Sequence, residues 1–240
     1  MRNAGRQGFW ITPVVLFALV AGACLTRPLV AQNPEMQQKV ADVKAAIAAN
    51  KQAVAQYTWV EQDTISLKGE QKKQEHFQVQ MGPDGKPQKT SLDPPPSESG
   101  HEGRLKRHII EKKKEEYEEY GDQIKALIHQ YVPPEKDLIQ QAYQQGNIMM
   151  GPEGAPGEFR LVISNYIKQG DKMTLVVDKA QMGLLSLSID TYLNDPSDAV
   201  NVSVVFSRLP GGPNHVSTET INGVSKHLTI VVQNSNYQHL

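Results

Sequence analysis

Residues 159–192 read FRLVISNYIKQGDKMTLVVDKAQMGLLSLSIDTY, three apolar alternations separated by two turns. Phe159, Leu161 and Ile163 recur at every second position, as do Met173, Leu175 and Val177, and then Leu185, Leu187 and Ile189. A period of two marks a half-buried β-strand, with one face on a core and the other in water. Gly170-Asp171 and Gln181 to Gly183 punctuate the strands as turns.

The pattern extends in both directions. Downstream, Val200, Val202, Val204 and Phe206 alternate, and so do Leu228, Ile230 and Val232, with turn signals at Asn194-Asp195-Pro196 and at Pro210 to Pro213. Asn222-Gly223 reads as a two-residue hairpin of the type I′ kind. Upstream, Tyr57 to Leu67, a strand carrying Phe77, Val79 and Met81, and Lys86 to Leu92 form a meander. Its turns are Lys68-Gly69-Glu70 and Gly82-Pro83-Asp84-Gly85, the second a strong signal because Pro presets φ and Gly accepts positive φ.

Two segments have helical periodicity. Asn33-Pro34 has an N-cap residue followed by a proline at the first helical position, and Met36, Val40, Val43, Ile47 and Val54 follow at helical spacing. After Pro94-Pro95-Pro96, Tyr117, Tyr120, Ile124, Leu127 or Ile128, and Tyr131 make a stripe through a Lys/Glu run, which Pro133-Pro134 ends. Pro134 begins a further helix carrying Leu138, Ile139 and Tyr143. The expected architecture is α+β: a large curved antiparallel sheet of about nine strands, a half-open barrel, covered by the N-terminal helix and a helical insert at residues 101–148.

The N-terminus is laid out as an export signal, with Arg2 and Arg6 ahead of the apolar run from Ile11 to Ala23. That run is shorter than the roughly 20 apolar residues of a membrane span. Cleavage after Ala31 leaves a single domain over 32–240, behind a signal peptide of 1–31. The alternative is lipidation at Cys24, the one cysteine, which would anchor the chain to a membrane. Either way the protein is expected to be periplasmic or secreted, without an integral span once the signal is removed. Losing Arg2, Arg6 and Arg27 moves the formal charge from -1 to about -4, which gives no footprint for nucleic acid.

An export signal, an amphipathic helix leading into a Tyr-Thr-Trp strand at Tyr57 to Trp59, hairpins, a helical interruption and a second run of hairpins resemble the periplasmic lipoprotein carriers LolA and LolB and the related RseB-type regulators. The resemblance is one of architecture and covers residues 33–240. It implies an unclosed barrel whose concave face holds acyl chains of lipids or lipoproteins under lid helices.

No stretch reads as a catalytic motif, a cofactor loop or a metal site, and enzyme activity is not expected. The seven histidines are scattered, and His101 and His108 share a helical face only if Gly103 is helical. Asp190, Asp195 and Asp198 could be read as paired acids or a cation site, but Asp195-Pro196-Ser197-Asp198 reads more simply as a turn, and the Lys/Glu run as a solvated helix face. Trp59 and Tyr57 read as core aromatics. The positions left needing apolar company are Leu161, Ile163, Leu175, Val177, Leu185, Leu187, Ile189, Val202, Val204 and Phe206. Either helices fill the space over them or a lipid does. The first case is an interaction module for another envelope protein, and the second is a binder of an apolar ligand.

Overall fold

The computed structural model describes residues 34–94, 104–152 and 154–240, the side chains of 104–114 excepted. The signal segment, Cys24 and His101 lie outside the described residues. Residues Gln32–Leu240 form one compact unit, the one described below. Its elements, in order, are α1 (Pro34–Val54), β1 (Tyr57–Leu67), β2 (Glu70–Met81), β3 (Pro87–Ser91), α2 (Arg104–Ile128), α3 (Lys136–Gln144), β4 (Ile148–Met150), β5 (Glu158–Ser164), β6 (Lys172–Asp178), β7 (Leu184–Tyr192), β8 (Ala199–Arg208), β9 (Asn214–Gly223) and β10 (Leu228–His239).

All ten strands belong to one antiparallel sheet, ordered β3-β2-β1-β10-β9-β8-β7-β6-β5-β4. Every neighbour is consecutive in sequence except β1 and β10, whose pairing runs from Tyr57 opposite His239 to Leu67 opposite Leu228. The two edges, β3 and β4, are the strands that the helical insert separates, so the insert occupies the link that would otherwise let the sheet close. The edges are blunted in two ways: β3 begins at Pro87 and carries Lys89, and β4 has three residues. The tenth strand, β4, is too short to show a period, which is why about nine are legible in the sequence.

The helices lie where their stripes require. In α1, Val40 and Val43 are buried and Met36 and Ile47 pack on the core, while Glu35 pairs with Lys39 one turn later at 2.7 Å. In α2 and the turn after it, Tyr120, Ile124, Leu127, Ile128 and Tyr131 are buried. Glu116, from the charge run, pairs with Lys226. In α3, Ile139, Ala142 and Tyr143 face inward. This core is continuous with the inner faces of β5 to β8.

The hairpin expected at Asn222-Gly223 does not turn there. Both residues remain in β9, with Asn222 opposite Thr229 and Gly223 opposite Leu228, and the chain reverses over residues 224–227. The glycine has another purpose. A Cβ at Gly223 would lie 2.6 Å from Ile124 Cδ1 and 2.7 Å from the Tyr120 ring, so its absence lets α2 rest directly on the strand. Asp195 and Asp198 do form a turn: Asp195 accepts the Ser197 N–H at 2.9 Å, and Asp198 accepts the Tyr120 hydroxyl at 2.8 Å.

Candidate functional site

The ten strand positions divide between two environments. Leu161, Ile163, Leu175, Val177, Leu187, Ile189, Val202 and Val204 are buried in the core beneath the helices, so over this half of the sheet helices fill the concavity. Phe206 is half-buried and lines a cavity. Leu185 is half-buried and outside the core, where Leu184 packs instead. The cause is a register shift between Val176 and Val177, which sets Val177 opposite Leu184.

Over the other half of the sheet the helices leave a space of about 1260 Å³. Its floor is the inner face of β1, β10 and β9 and the end of β8. Its roof is the C-terminal half of α1 and the segment following α2, from Ile128 to Glu135. Exposed residues of the β2–β3 turn, Asp84 to Lys86, stand at its rim. The wall is mostly apolar, with Val43, Ala46, Ile47, Leu184, Phe206 and Val216 among its residues. Val216 reaches it through a bulge between Val205 and Phe206 that sets Phe206 opposite Val216 and reverses the alternation of β9. The volume exceeds the ~300–1,000 Å³ of ordinary ligand pockets.

One stretch of the floor is polar. Trp59, Glu61 and Asp63 alternate along the inward face of β1 and all line the cavity. Glu61 pairs in register with Asn234, and Val232 stands between Asp63 on one side and Glu219 on the other. Lys89 forms an ion pair with Glu61 and lies 3.9 Å from Asp63, while Lys125 of α2 lies 3.4 Å from the same Asp63 oxygen. Trp59 stacks on Tyr237 with ring centroids 5.4 Å apart, away from the main core. It is buried, as its place in the sequence suggests, but beside the cavity and outside the central cluster.

Burial and crowding of charge perturb these groups. Glu219 is pushed up to about 7 by burial and by the neighbouring Glu61 charge. Glu61 is also raised, chiefly by burial, against the opposing pull of Lys89. His129, on the roof, is lowered by burial and by the charges of Lys89 and Lys125.

The polar patch was the part of the site that hydrophobic patterning missed. A signal was present: Glu61 and Asp63 share the parity of Trp59, and Glu219 shares that of Ile221, so each acid falls on an inward face. Among the described residues no group of three or more His, Cys, Asp and Glu side chains could hold a metal ion.

No protein-family model and no curated protein sequence matches the chain. Two solved structures are similar to it in fold. One is a DUF1329 family protein from Desulfovibrio piger, 13% identical with a TM-score of 0.43, where the match covers 84% of this chain and 93% of the other. The second is a LolA superfamily protein from Nitrosomonas europaea, 8% identical with a TM-score of 0.39, covering 85% and 93%. The unclosed antiparallel sheet with helices over it is the α+β architecture expected from the sequence. What the cavity holds is decided by its own walls.

Proposed function

We propose that this is an exported, non-enzymatic envelope protein that binds an apolar ligand, an acyl chain of a lipid or lipoprotein, in the space between the sheet and α1. The observation that carries the reading is a mostly apolar cavity of about 1260 Å³ beside a core in which the inner positions of β5 to β8 are buried under the helices. Exposed to water alone, such a wall would forfeit roughly 25 cal/mol for each Å² of apolar surface, a loss that an acyl chain recovers. Phe206 is the strand position, of those marked by the alternation, that touches the ligand; Ile47 and Ala46 of α1 and Val216 of β9 complete the contact. Among the described residues no helix is long and apolar enough to cross a membrane.

The test is extraction of the purified protein from its native host followed by mass spectrometry, together with calorimetric titration of alkyl-chain probes. Stoichiometric lipid, or saturable binding of a dodecyl chain, supports the reading. A lipid-free protein that binds no chain-bearing probe defeats it and leaves an interaction module.

A further inference from the structure

Among the described residues, six buried polar side-chain atoms have no hydrogen-bond partner, and four of them belong to residues on the wall of this one cavity: Trp59 Nε1, Asp63 Oδ1, Glu219 Oε1 and Asn234 Oδ1. Folded proteins leave few such atoms, because each buried and unpaired group costs about 1–3 kcal/mol. Trp59 is 6% exposed and Asp63 2%. These residues line the cavity, yet the four atoms have almost no accessible surface, so neither the protein nor bulk water satisfies them. The remaining two, Tyr143 Oη and Arg160 Nε, lie away from it.

The charges on this wall do not balance. Glu61, Asp63 and Glu219 face Lys89 and Lys125, and both lysines are engaged by Glu61 and Asp63. Glu219 has no ion-pair or hydrogen-bond partner of its own. It stands across Val232 from Asp63, two strand spacings or roughly 10 Å between backbones, a gap that two acidic side chains and one small cation can span. On the roof, Lys51 and Glu135 lie 3.9 Å apart and offset each other, and His129 is held toward its neutral form and supplies no counter-charge.

We propose that this polar wall recognises a primary ammonium group at the head of the ligand, with Glu219 as its charge partner and Asp63 Oδ1 and Asn234 Oδ1 as its other acceptors. The inference rests on the acyl-binding reading above and adds the chemistry of the headgroup. An –NH₃⁺ carries three donors and no acceptor, which matches three unpartnered oxygens. Trp59 Nε1 is the complementary donor for an oxygen borne by the same headgroup. On this stretch both lysines are already engaged by Glu61 and Asp63, so an anionic headgroup meets the Glu219 carboxylate, while Arg208 and Lys86 stand elsewhere on the cavity lining. Burial raises Glu219 to about 7, so the ammonium, on arriving, displaces the proton that otherwise neutralises it.

The test is calorimetric titration of the full chain with dodecylammonium, dodecanol and dodecanoate below their aggregation concentrations. Dodecylammonium is expected to bind at least about tenfold more tightly than the other two, a margin that one charge-assisted hydrogen-bond set supplies. Glu219→Gln is expected to remove that margin and leave dodecanol binding unchanged. In the unaltered protein, dodecylammonium binding is expected to tighten between about pH 6 and about pH 8 while dodecanol binding does not. Equal binding of the three probes, a preference for dodecanoate, or a preference that survives in Glu219→Gln would overturn the headgroup assignment and leave chain binding standing. Failure of all three probes to bind defeats the assignment together with the reading on which it rests.

Discussion

The Tyr131 hydroxyl donates a 2.7 Å hydrogen bond to Asp171, and both residues are buried. Asp171 also accepts the backbone N–H groups of Tyr166 at 2.6 Å, Ile167 at 2.9 Å and Lys168 at 3.0 Å. Thr191 lies 2.9 Å from the same hydroxyl. One carboxylate thus organises the β5–β6 turn and ties to it the segment after α2 that roofs the cavity. Tyr131→Phe keeps the ring and removes one of three donors to that Asp171 oxygen, and a loss of about 1–3 kcal/mol, which spans the range for a hydrogen bond to a charged group, is expected in urea unfolding. A loss below a few tenths would show that the clamp carries no energy.

Gly223 is required by contact rather than by backbone conformation, since it is not among the residues of positive φ. Gly223→Ala sets a methyl against Ile124 and Tyr120, and destabilisation of about 1–3 kcal/mol is expected. Ile124→Ala removes the nearest obstacle, so the double variant is expected to lose less than the sum of the singles. Strict additivity in the double-mutant cycle would refute the steric account.

Glu219 gives the stability a particular pH dependence. Its folded pKa is raised, so the native state keeps a proton that the unfolded chain has released, and stability falls as pH rises from 4.5 through about 7. The full effect is up to ~3 kcal/mol, from about 1.4 kcal/mol per pKa unit. Glu61, raised in the same direction, adds to it, and Lys89 restrains it. Thermal unfolding measured across that window is expected to show a declining Tm in the unaltered protein and a shallower decline in Glu219→Gln. Parallel profiles for the two would contradict the assignment.

Filling the cavity separates ligand binding from folding. Ala46 stands on the cavity wall in α1, where a large side chain has open space before it. Ala46→Trp is expected to weaken binding of a dodecyl probe by about tenfold or more while changing stability by less than about 1 kcal/mol. Unchanged binding in a folded Ala46→Trp would place the ligand elsewhere.

The division between what the chain sequence determines and what tertiary structure adds follows from the range of the interactions. Strand alternation and helical stripes are local: Leu161 and Ile163, or Tyr120 and Ile124, share a face because of backbone geometry alone, and so the curved sheet, its helices and most of its turns were legible. Gly223 was misread because a glycine required by a helix packing from 99 residues away, Ile124 to Gly223, has the same local signature as a hairpin glycine. The alternation likewise named apolar faces without saying what covers them. Only the path of α1 and α2 across the concavity decides that Leu175 and Val202 are fully packed while Phe206, half-buried at the edge of the core, also lines the cavity. The acids were visible at inward parity on β1 and β9, but their meeting depends on β10 lying between those strands. That adjacency follows from pairing across the whole chain, between Asp63 and Val232 and between Val232 and Glu219, and no local period encodes it.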